Sequence, residues 1–474
     1  MIEYRGRKER KRTGMKPGII HILSAAGTLI FLLYWGVRSG KGMKDASAFQ
    51  RGSQQASVLL VIGAVLGTMI GGAATIGTAQ MAFTNGLSAL WFSIGSAVGC
   101  LFLVVVGIPF RQSGWISVPA LIKHEYGEKL GVLSTTLTAL GMLINIAAQM
   151  VAAAALLGSL FHLPVYWSVI LCILSMSAYV LFGGLRGAGI LGMLKTVFLY
   201  VALIISSIII FRQAGADRLF RNAIEAGMGI FHRGIGIDVG AALGAVLGFG
   251  TTQAYFQSII SAKDDKTARK ALYFSAILLP PVGIFSTQIG LYMKSIYPNL
   301  PPGHAFSTFV LEHFPAVPAG MTIALLFFAL LGTGSGMALG LSTNLTHDLY
   351  LSYFKRSEKE GNTLAVNRFM LLLSLILGGV LTLLSGQTSI LAWGFLSLGL
   401  RGMVLFAPVI GALFFRGKYT AGRMALAATL PLTVYLVCKM FFALAFDPVF
   451  IGLGLSITLL LLPTNQKIRR STRE

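Results

Sequence analysis

Residues 63–83 read GAVLGTMIGGAATIGTAQMAF, and this stretch decides how the chain folds. Gly63, Gly67 and Gly71 lie four residues apart along an otherwise apolar run. Such a row of glycines lets two membrane helices approach each other closely. Gly72 follows at once, and small and polar residues continue the run. A long apolar segment that adjacent glycines interrupt predicts a membrane helix that is broken near its middle.

A second stretch, residues 240–256, reads GAALGAVLGFGTTQAYF and repeats the glycine row. Both stretches contain Thr-x-Gln-x-x-Phe, with Thr78 and Gln80 in the first and Thr251 and Gln253 in the second. The two copies differ by about one helical turn in their offset from the glycines, so chance can also produce the match. Glycine-interrupted spans in corresponding halves are typical of the binding site of a secondary transporter. We expect these four side chains to bind the solute; alternatively, the threonines bond carbonyls of their own helices.

The composition places the whole chain in a membrane. Of its 474 residues, 55% are hydrophobic and 11% are charged, whereas soluble domains carry about 25% charged residues. Mean hydropathy is +0.77, and apolar runs long enough to cross a hydrocarbon core of ~30 Å recur along the chain. A soluble enzyme and an outer-membrane barrel, whose strands alternate in polarity, are excluded. The net charge of +22 comes mostly from loop lysines and arginines, which indicates membrane orientation and no nucleic-acid partner.

The predicted fold class is therefore an all-α polytopic membrane protein with about thirteen transmembrane helices. The expected spans are residues 18–37, 57–83, 86–110, 130–158, 164–182, 187–212, 238–260, 271–293, 318–346, 365–384, 388–415, 421–443 and 448–463. They form a single transmembrane domain, residues 18–463, between basic tails at residues 1–17 and 464–474.

The loop charges predict the orientation of this domain. Most loop lysines and arginines follow odd-numbered spans, and the C-terminal tail is basic as well. The positive-inside rule then places the C-terminus in the cytoplasm and, for thirteen spans, the N-terminus outside a cell (inner or plasma) membrane. The basic N-terminal tail contradicts this arrangement. A start at Met15 instead of Met1 would remove most of its charges.

Ionisable groups inside the spans are few. All sixteen acidic residues lie in tails, in loops or at span ends, so a proton relay of mid-membrane carboxylates is not expected. Lys195 and Arg401 lie well inside spans. Arg401 can pair bidentately with a substrate carboxylate, or it can cap carbonyls of a neighbouring broken helix.

Six segments, in this order along the chain, resemble the sodium:solute symporter family. They are GGAATIGTAQMAFTNGLSALW (71–91), SVPALIKHEYGEKL (117–130), GGLR (183–186), QSIISAKDDKTAR (257–269), STNLTHDLY (342–350) and APVIGALFFR (407–416). Ser258 stands where that family usually has arginine.

The resemblance implies a leucine-transporter-like fold. Its ten-helix core would consist of two five-helix inverted repeats, about residues 57–212 and 238–415, with one extra helix before the core and two after it. The implied function is secondary active transport, the cation-coupled import of a small organic solute by alternating access, and not an enzyme activity. A sensor or receptor that keeps the fold without turnover is the alternative. Beyond the solute and the lipid bilayer we expect no obligate protein partner, and no cofactor other than sodium as coupling ion.

The resemblance also implies a sodium site between the break in span 2 and span 9. It places backbone carbonyl ligands at Gly67, Ile70 and Ala329. Two hydroxyl ligands of the family fall on Gly332 and Thr333, of which only Thr333 has a hydroxyl.

Span 6 also differs from the family's pattern, at a position that belongs to the same sodium site. An acidic residue of the family falls on Gly192, and Lys195 lies about one turn further along the same face. We hypothesise that Lys195 fills or abuts the vacant cation site, because an ammonium can replace the ion and a buried lysine releases its proton readily. Transport would then be proton-coupled or uncoupled. Alternatively, Lys195 points to the cytoplasmic interface and a shifted register restores sodium binding through Ser335.

Overall fold

A computed structural model describes residues 18–39, 55–161, 163–351, 360–384 and 389–462. Within these ranges the chain forms seventeen α-helices and no β-strand, and one isolated β-bridge joins Ala56 to Ala262. The all-α expectation is confirmed. Both predicted tails, and with them the choice between Met1 and Met15, lie outside the described residues.

The helices are numbered here in chain order. They are α1 Ile19–Ser39, α2 Val58–Met69, α3 Thr78–Asn85, α4 Leu90–Gln112, α5 Val118–Tyr126, α6 Glu128–Phe161, α7 Val165–Ala214, α8 Ala216–Glu225, α9 Ile235–Phe249, α10 Gln253–Ile260, α11 Asp265–Ile296, α12 Ala305–His313, α13 Ala316–Asn344, α14 Glu360–Leu384, α15 Ile390–Phe414, α16 Ala421–Phe441 and α17 Val449–Leu461. Two π-helical turns, Ala73–Gly77 and Leu345–Leu351, precede α3 and follow α13.

Many of these helices can cross a membrane. Among the residues that the structure describes, eight segments are long and apolar enough by length and composition, and a ninth is added if the bent pair α9 and α10 counts as one span. Four further apolar helices are shorter: Ile19–Leu32, Val58–Met69, Val165–Val180 and Val449–Leu461. The structure therefore confirms a polytopic helical membrane protein, while the count of thirteen crossings stays a prediction.

The first predicted broken helix is present. Helix α2 ends at Met69 because Ile70, with φ −86° and ψ 85°, leaves the helical region, and helical structure resumes at Ala73. A Cβ atom on Gly71 would lie only 2.3 Å from Oγ1 of Thr333, so the close approach of this break to α13 requires glycine. The break is thus set by adjacent glycines that pack against another helix.

A second break interrupts the corresponding helix of the other half. Helices α9 and α10 are bent by 48° across Gly250, Thr251 and Thr252. Here too a glycine is needed, since a Cβ atom on Gly248 would lie 2.4 Å from the carbonyl oxygen of Leu398. The two glycine rows therefore mark the two broken helices that the sequence predicts.

One predicted boundary, at residues 183–186, stays a prediction. The helical backbone of α7 continues through it, but the apolar segments on either side are separate, Val165–Val180 and Leu191–Ala214. Both segments reach the same part of α13, because the carbonyl of Met176 accepts from Ser335 and Lys195 donates to the carbonyl of Ala329.

The helix ends gather at two opposite ends of the bundle. At what we call the inner end, Ala56 exchanges backbone hydrogen bonds with Ser261 and Lys263, at 3.0 and 3.2 Å. Arg111, near the end of α4, forms an ion pair of 2.6 Å with Asp265 there. The loop charges predict that this end is cytoplasmic.

At the outer end, the loop before α9 packs on the start of α4. Ser88 donates a hydrogen bond of 2.8 Å to Asp238, whose carboxylate also pairs with Arg233 at 2.6 Å. The backbone N–H of Leu87 donates to the carbonyl of Met228 at 3.0 Å. The two halves of the chain are therefore tied together at both ends.

Three helices form the centre of the bundle. In the most apolar stretches of α13 and α15, 78% of residues are buried, and in α6 72%, against 33% in α14 and α16. Helices α14 and α16 therefore lie at the periphery, where they can face lipid. The breaks in the two interrupted helices lie next to these three central helices.

Candidate cation and substrate site

Lys195, on α7, reaches the end of the first broken helix. Its side chain is 1% exposed, and Nζ donates hydrogen bonds to the carbonyls of Gly67 and Ala329, the latter at 3.2 Å. The carbonyl of Gly67 is available because the last turn of a helix leaves its C=O groups without partners. An ammonium also interacts favourably with the negative end of a helix dipole. The amine therefore lies between two carbonyls that the resemblance assigns to sodium.

Packing explains why glycine stands at the two positions where the family has ligand side chains. A Cβ atom on Gly332 would lie 2.9 Å from Nζ of Lys195, so a serine at this position would push against the amine. A Cβ atom on Gly192 would lie 2.0 Å from the carbonyl oxygen of Gly63. A carboxylate at position 192 would therefore require the backbones of α2 and α7 to separate.

The remaining hydroxyl of the implied sodium site is Thr333. It is 4% exposed, and its Oγ1 has no hydrogen-bond partner among the described residues. A sodium ion prefers several oxygen ligands. Two of the implied ones, the carbonyls of Gly67 and Ala329, bind the amine here. The residues do not fit a sodium ion at this point while Lys195 occupies it.

The arrangement that would restore sodium ligands through Ser335 is not the one observed. Ser335 donates its hydroxyl to the carbonyl of Met176, at 3.2 Å, in the first half of α7. Lys195 is buried, and its amine is bound inside the bundle.

The break itself is held by a residue that the sequence analysis missed. The backbone N–H of Gly72 donates to Oε1 of Gln149, on α6, at 2.8 Å. Gln149 is 1% exposed. A glutamine in the middle of an apolar helix was a visible signal, because buried polar groups require partners.

Arg401, on α15, contacts the second break. The guanidinium is 1% exposed. Its Nη1 donates to Oγ1 of Thr252 at 2.7 Å and contacts Sδ of Met337 at 3.5 Å. Nε and Nη2 donate to the carbonyl and the hydroxyl of Ser397, at 3.0 and 3.1 Å. Arg401 thus binds a hydroxyl of the broken helix rather than its carbonyls.

No carboxylate pairs with Arg401 in the part of the chain that the structure describes. The buried carboxylates there have other partners: Asp238 pairs with Arg233, Asp348 with Ser117 and Asp447 with Lys439. Arg401 is therefore a buried cation whose observed partners are all neutral. Buried charges usually have a charged partner or a ligand.

The two predicted threonines bond their own helices. Thr78 donates to the carbonyl of Ala73 at 2.9 Å, and Thr251 donates to that of Leu247 at 2.8 Å. These bonds match the alternative considered for them. A role in substrate binding stays a prediction.

The two predicted glutamines lie towards opposite ends of the bundle. Oε1 of Gln80 accepts a hydrogen bond of 3.1 Å from the backbone N–H of Ile390, where α15 begins. Gln253 bonds the segment before α5: its Oε1 accepts from the N–H of Val118 at 3.0 Å, and its Nε2 donates to the carbonyl of Ile116 at 2.7 Å. The structure does not bring Gln80 and Gln253 together.

Two broken helices beside buried polar groups, inside a bundle of apolar helices, are typical of a membrane transporter. The model of the sodium:solute symporter family matches residues 54–430, and the chain belongs to this family. The resemblance seen in the sequence is therefore confirmed.

Solved structures agree on the fold. A Na⁺-coupled sialic acid symporter, in a substrate-bound outward-open state, is 18% identical, with 94% of this chain and 96% of that chain covered and a TM-score of 0.81. A nucleobase-cation-symport-1 family transporter with bromovinylhydantoin bound is 15% identical, with 87% and 93% covered and a TM-score of 0.56. MhsT in complex with L-phenylalanine is 14% identical, with 85% and 99% covered and a TM-score of 0.56. The expected leucine-transporter-like fold is thereby confirmed.

Proposed function

We propose that this protein is a secondary transporter that imports a small organic solute by alternating access, with the amine of Lys195 in place of the coupling sodium ion. Membership of the sodium:solute symporter family and the two broken helices support the transport function. The observation that carries the coupling proposal is the position of Lys195 Nζ at the carbonyls of Gly67 and Ala329.

The protonated amine can join two helices as a bound cation would. In its protonated form it bridges α2 to α13, as an ion between the same carbonyls would. Loss of the proton removes the charge from this bridge and weakens the contact between the two helices. Transport would then be coupled to protons, or uncoupled if Lys195 keeps its proton throughout.

Arg401 is the proposed contact for the solute. It lies at the second break, and its observed partners are neutral groups. A carboxylate on the solute could displace them, because charge-assisted hydrogen bonds are roughly twice as strong as neutral ones. Thr78 and Thr251 remain candidates for additional solute contacts.

The coupling proposal can be tested without knowing the solute. Thermal unfolding of the detergent-purified protein is compared in sodium chloride and choline chloride, because a ligand of the native state raises apparent stability by mass action. We expect no sodium-specific rise in the wild type. In the double variant Lys195→Ala with Gly332→Ser the amine is removed and the missing hydroxyl is supplied, so a saturable sodium-specific rise is expected.

Two controls make the result specific. Adding Thr333→Val to the double variant should abolish the rise, since it removes the second hydroxyl ligand. Lys195→Met alone replaces the amine by an apolar side chain of similar length and should gain no sodium response. A saturable sodium-specific rise in the wild type would contradict the proposal.

Transport itself requires a flux measurement. Uptake of solute into liposomes that contain the purified protein distinguishes a transporter from a receptor with the same fold. Solute binding without flux would support the receptor.

A further inference from the structure

The residues before helix α5 form a buried junction at the inner end. Ser117 is 0% exposed and caps α5, accepting a hydrogen bond of 3.0 Å from the backbone N–H of Ala120. Serine is a favoured residue at this position, because its oxygen satisfies a free N–H of the first turn. The junction therefore has a defined geometry and is not a loose loop.

Two side chains from different helices hold this junction. Gln253, the first residue of α10, bonds the backbone on both sides of Ser117: it accepts from Val118 and donates to Ile116. Asp348, in the π-helical turn after α13, accepts from the hydroxyl of Ser117 at 2.9 Å. We call Ser117, Gln253 and Asp348 the inner latch.

A cavity of about 440 Å³ adjoins the inner latch. Its walls include Trp115, Ser117, Lys123 and Asp348. Asp348 is 4% exposed, so this wall presents a carboxylate that the protein otherwise buries. The cavity is large enough for a small organic solute, since ligand pockets measure about 300–1,000 Å³.

A series of contacts connects Arg401 to the wall of this cavity. Thr252 contacts Arg401, and the next residue, Gln253, contacts Ile116 in the cavity wall. Both residues lie at the 48° bend between α9 and α10. Movement at this bend would therefore change both the contact of Arg401 with Thr252 and the hydrogen bonds of the inner latch.

We propose that the cavity is the solute's release site at the inner end, and that the inner latch closes the path to it from Arg401. This inference rests on the proposed transport function. Opening breaks the bonds of Gln253, which join neutral groups that water can replace. The bond of Ser117 to Asp348 involves a carboxylate and is the stronger one. Helix α5 therefore stays with Asp348 while α10 moves away.

The test measures access to a buried position next to Arg401. Met337 is 1% exposed, contacts Arg401 and does not line the cavity. The variant Met337→Cys is reacted with a membrane-impermeant thiol reagent, in vesicles of each orientation, with no solute present. In the Gln253→Ala background we expect labelling from the inner-end face at least about tenfold faster, because two lost hydrogen bonds shift a local opening equilibrium.

The chain offers a matched control on the same helix. Ser258, also buried on α10, donates to the carbonyl of Ala254 within the same helix at 3.0 Å. Ser258→Ala removes no bond between α10 and a neighbouring helix and should leave the labelling rate unchanged. Gln253→Asn, whose shorter side chain cannot bond both Ile116 and Val118, is a milder second variant if Gln253→Ala does not fold.

Unchanged labelling in both Gln253 variants would contradict the proposal that the inner latch closes this path. Equal acceleration by Ser258→Ala would overturn it too, since it would indicate a general loosening of α10. The measurement uses neither sodium nor solute. Failure of the latch is therefore distinguishable from failure of the Lys195 proposal, which the unfolding experiment tests separately.

Discussion

Lys195 and Arg401 are both buried cations, but their surroundings differ. Lys195 binds two backbone carbonyls, one of them at the end of α2, which compensate a positive charge. Arg401 binds one carbonyl, two hydroxyls and a sulfur. The partners of Arg401 are thus mostly side chains, which can move away from it more easily than the backbone carbonyls can move away from Lys195.

The contact of Arg401 with Thr252 predicts a selective effect of one hydroxyl. Thr252→Val keeps the shape of the side chain but leaves Nη1 of Arg401 without its oxygen acceptor. We expect the free energy of unfolding to fall by about 1–3 kcal/mol, the cost of an unsatisfied buried donor. The measurement is the shift of the thermal unfolding midpoint in detergent.

Thr251→Val provides the comparison at the neighbouring position. Thr251 donates only to carbonyls of its own helix, at Leu247 and Gly248. We expect it to cost about 0.5–1 kcal/mol, because only hydrogen bonds between neutral groups are lost and no charged donor is left without an acceptor. Equal losses for the two variants would mean that the Arg401 contact contributes little.

Not all of these contacts could be read from the sequence. Lys195 was placed near Gly67 and Ala329 because a family resemblance and the helical period locate all three residues. The bond between Ser117 and Asp348 joins residues 231 positions apart. No local pattern predicts such a pair, and from the sequence Asp348 is only one of the acidic residues in loops or at span ends. Solute binding by Gln253 stays a prediction, and its observed partners lie 135 and 137 positions away, where no local pattern locates them.

At the scale of elements, α2 and α7 touch through glycine. A Cβ atom on Gly192 would meet the backbone of Gly63 and Gly67, which a helix cannot move as easily as a side chain. This contact also brings Lys195, about one turn later, to the carbonyl of Gly67. Close packing of the two helices is therefore a condition for the amine to reach its place.

Gly192→Ala should disturb both the packing and the amine. We expect the free energy of unfolding to fall by about 1–3 kcal/mol or more, as for other over-packed cores. Gly454→Ala, in α17, is the control, because a Cβ atom there meets nothing within 4 Å. It should be neutral or stabilise the protein by up to about 1 kcal/mol through helix propensity. A Gly192→Ala protein as stable as the control would show that α2 and α7 can separate without cost.

The elements that the sequence predicted best are those set by local composition. Apolar runs located the long helices, and the glycine rows located both breaks. The boundary inside α7 stays a prediction, because glycine weakens a helix without forbidding it, and whether it ends the helix depends on contacts from elsewhere in the fold. The inner and outer ends became apparent only from contacts such as Ala56 with Ser261.

For the whole molecule, the remaining question is which end faces the cytoplasm. The loop charges assign the inner end to it, since lysines and arginines in short loops are retained on the cytoplasmic side. The structure groups the described parts of these loops at one end, where Gly417 donates its N–H to Glu125 at 2.6 Å. Lys418 and Ala226 are both exposed and lie at the inner and the outer end, respectively.

These two positions predict opposite labelling in intact cells. An impermeant thiol reagent should react with Ala226→Cys and should reach Lys418→Cys only after the membrane is permeabilised. Cys100 and Cys172 are buried, and the half-buried Cys438 is replaced by serine to lower the background. Reaction of Lys418→Cys in intact cells would place the inner end outside. The cavity beside Asp348 would then be an entry site for the solute, and the basic N-terminal tail would lie in the cytoplasm, where its charge favours it.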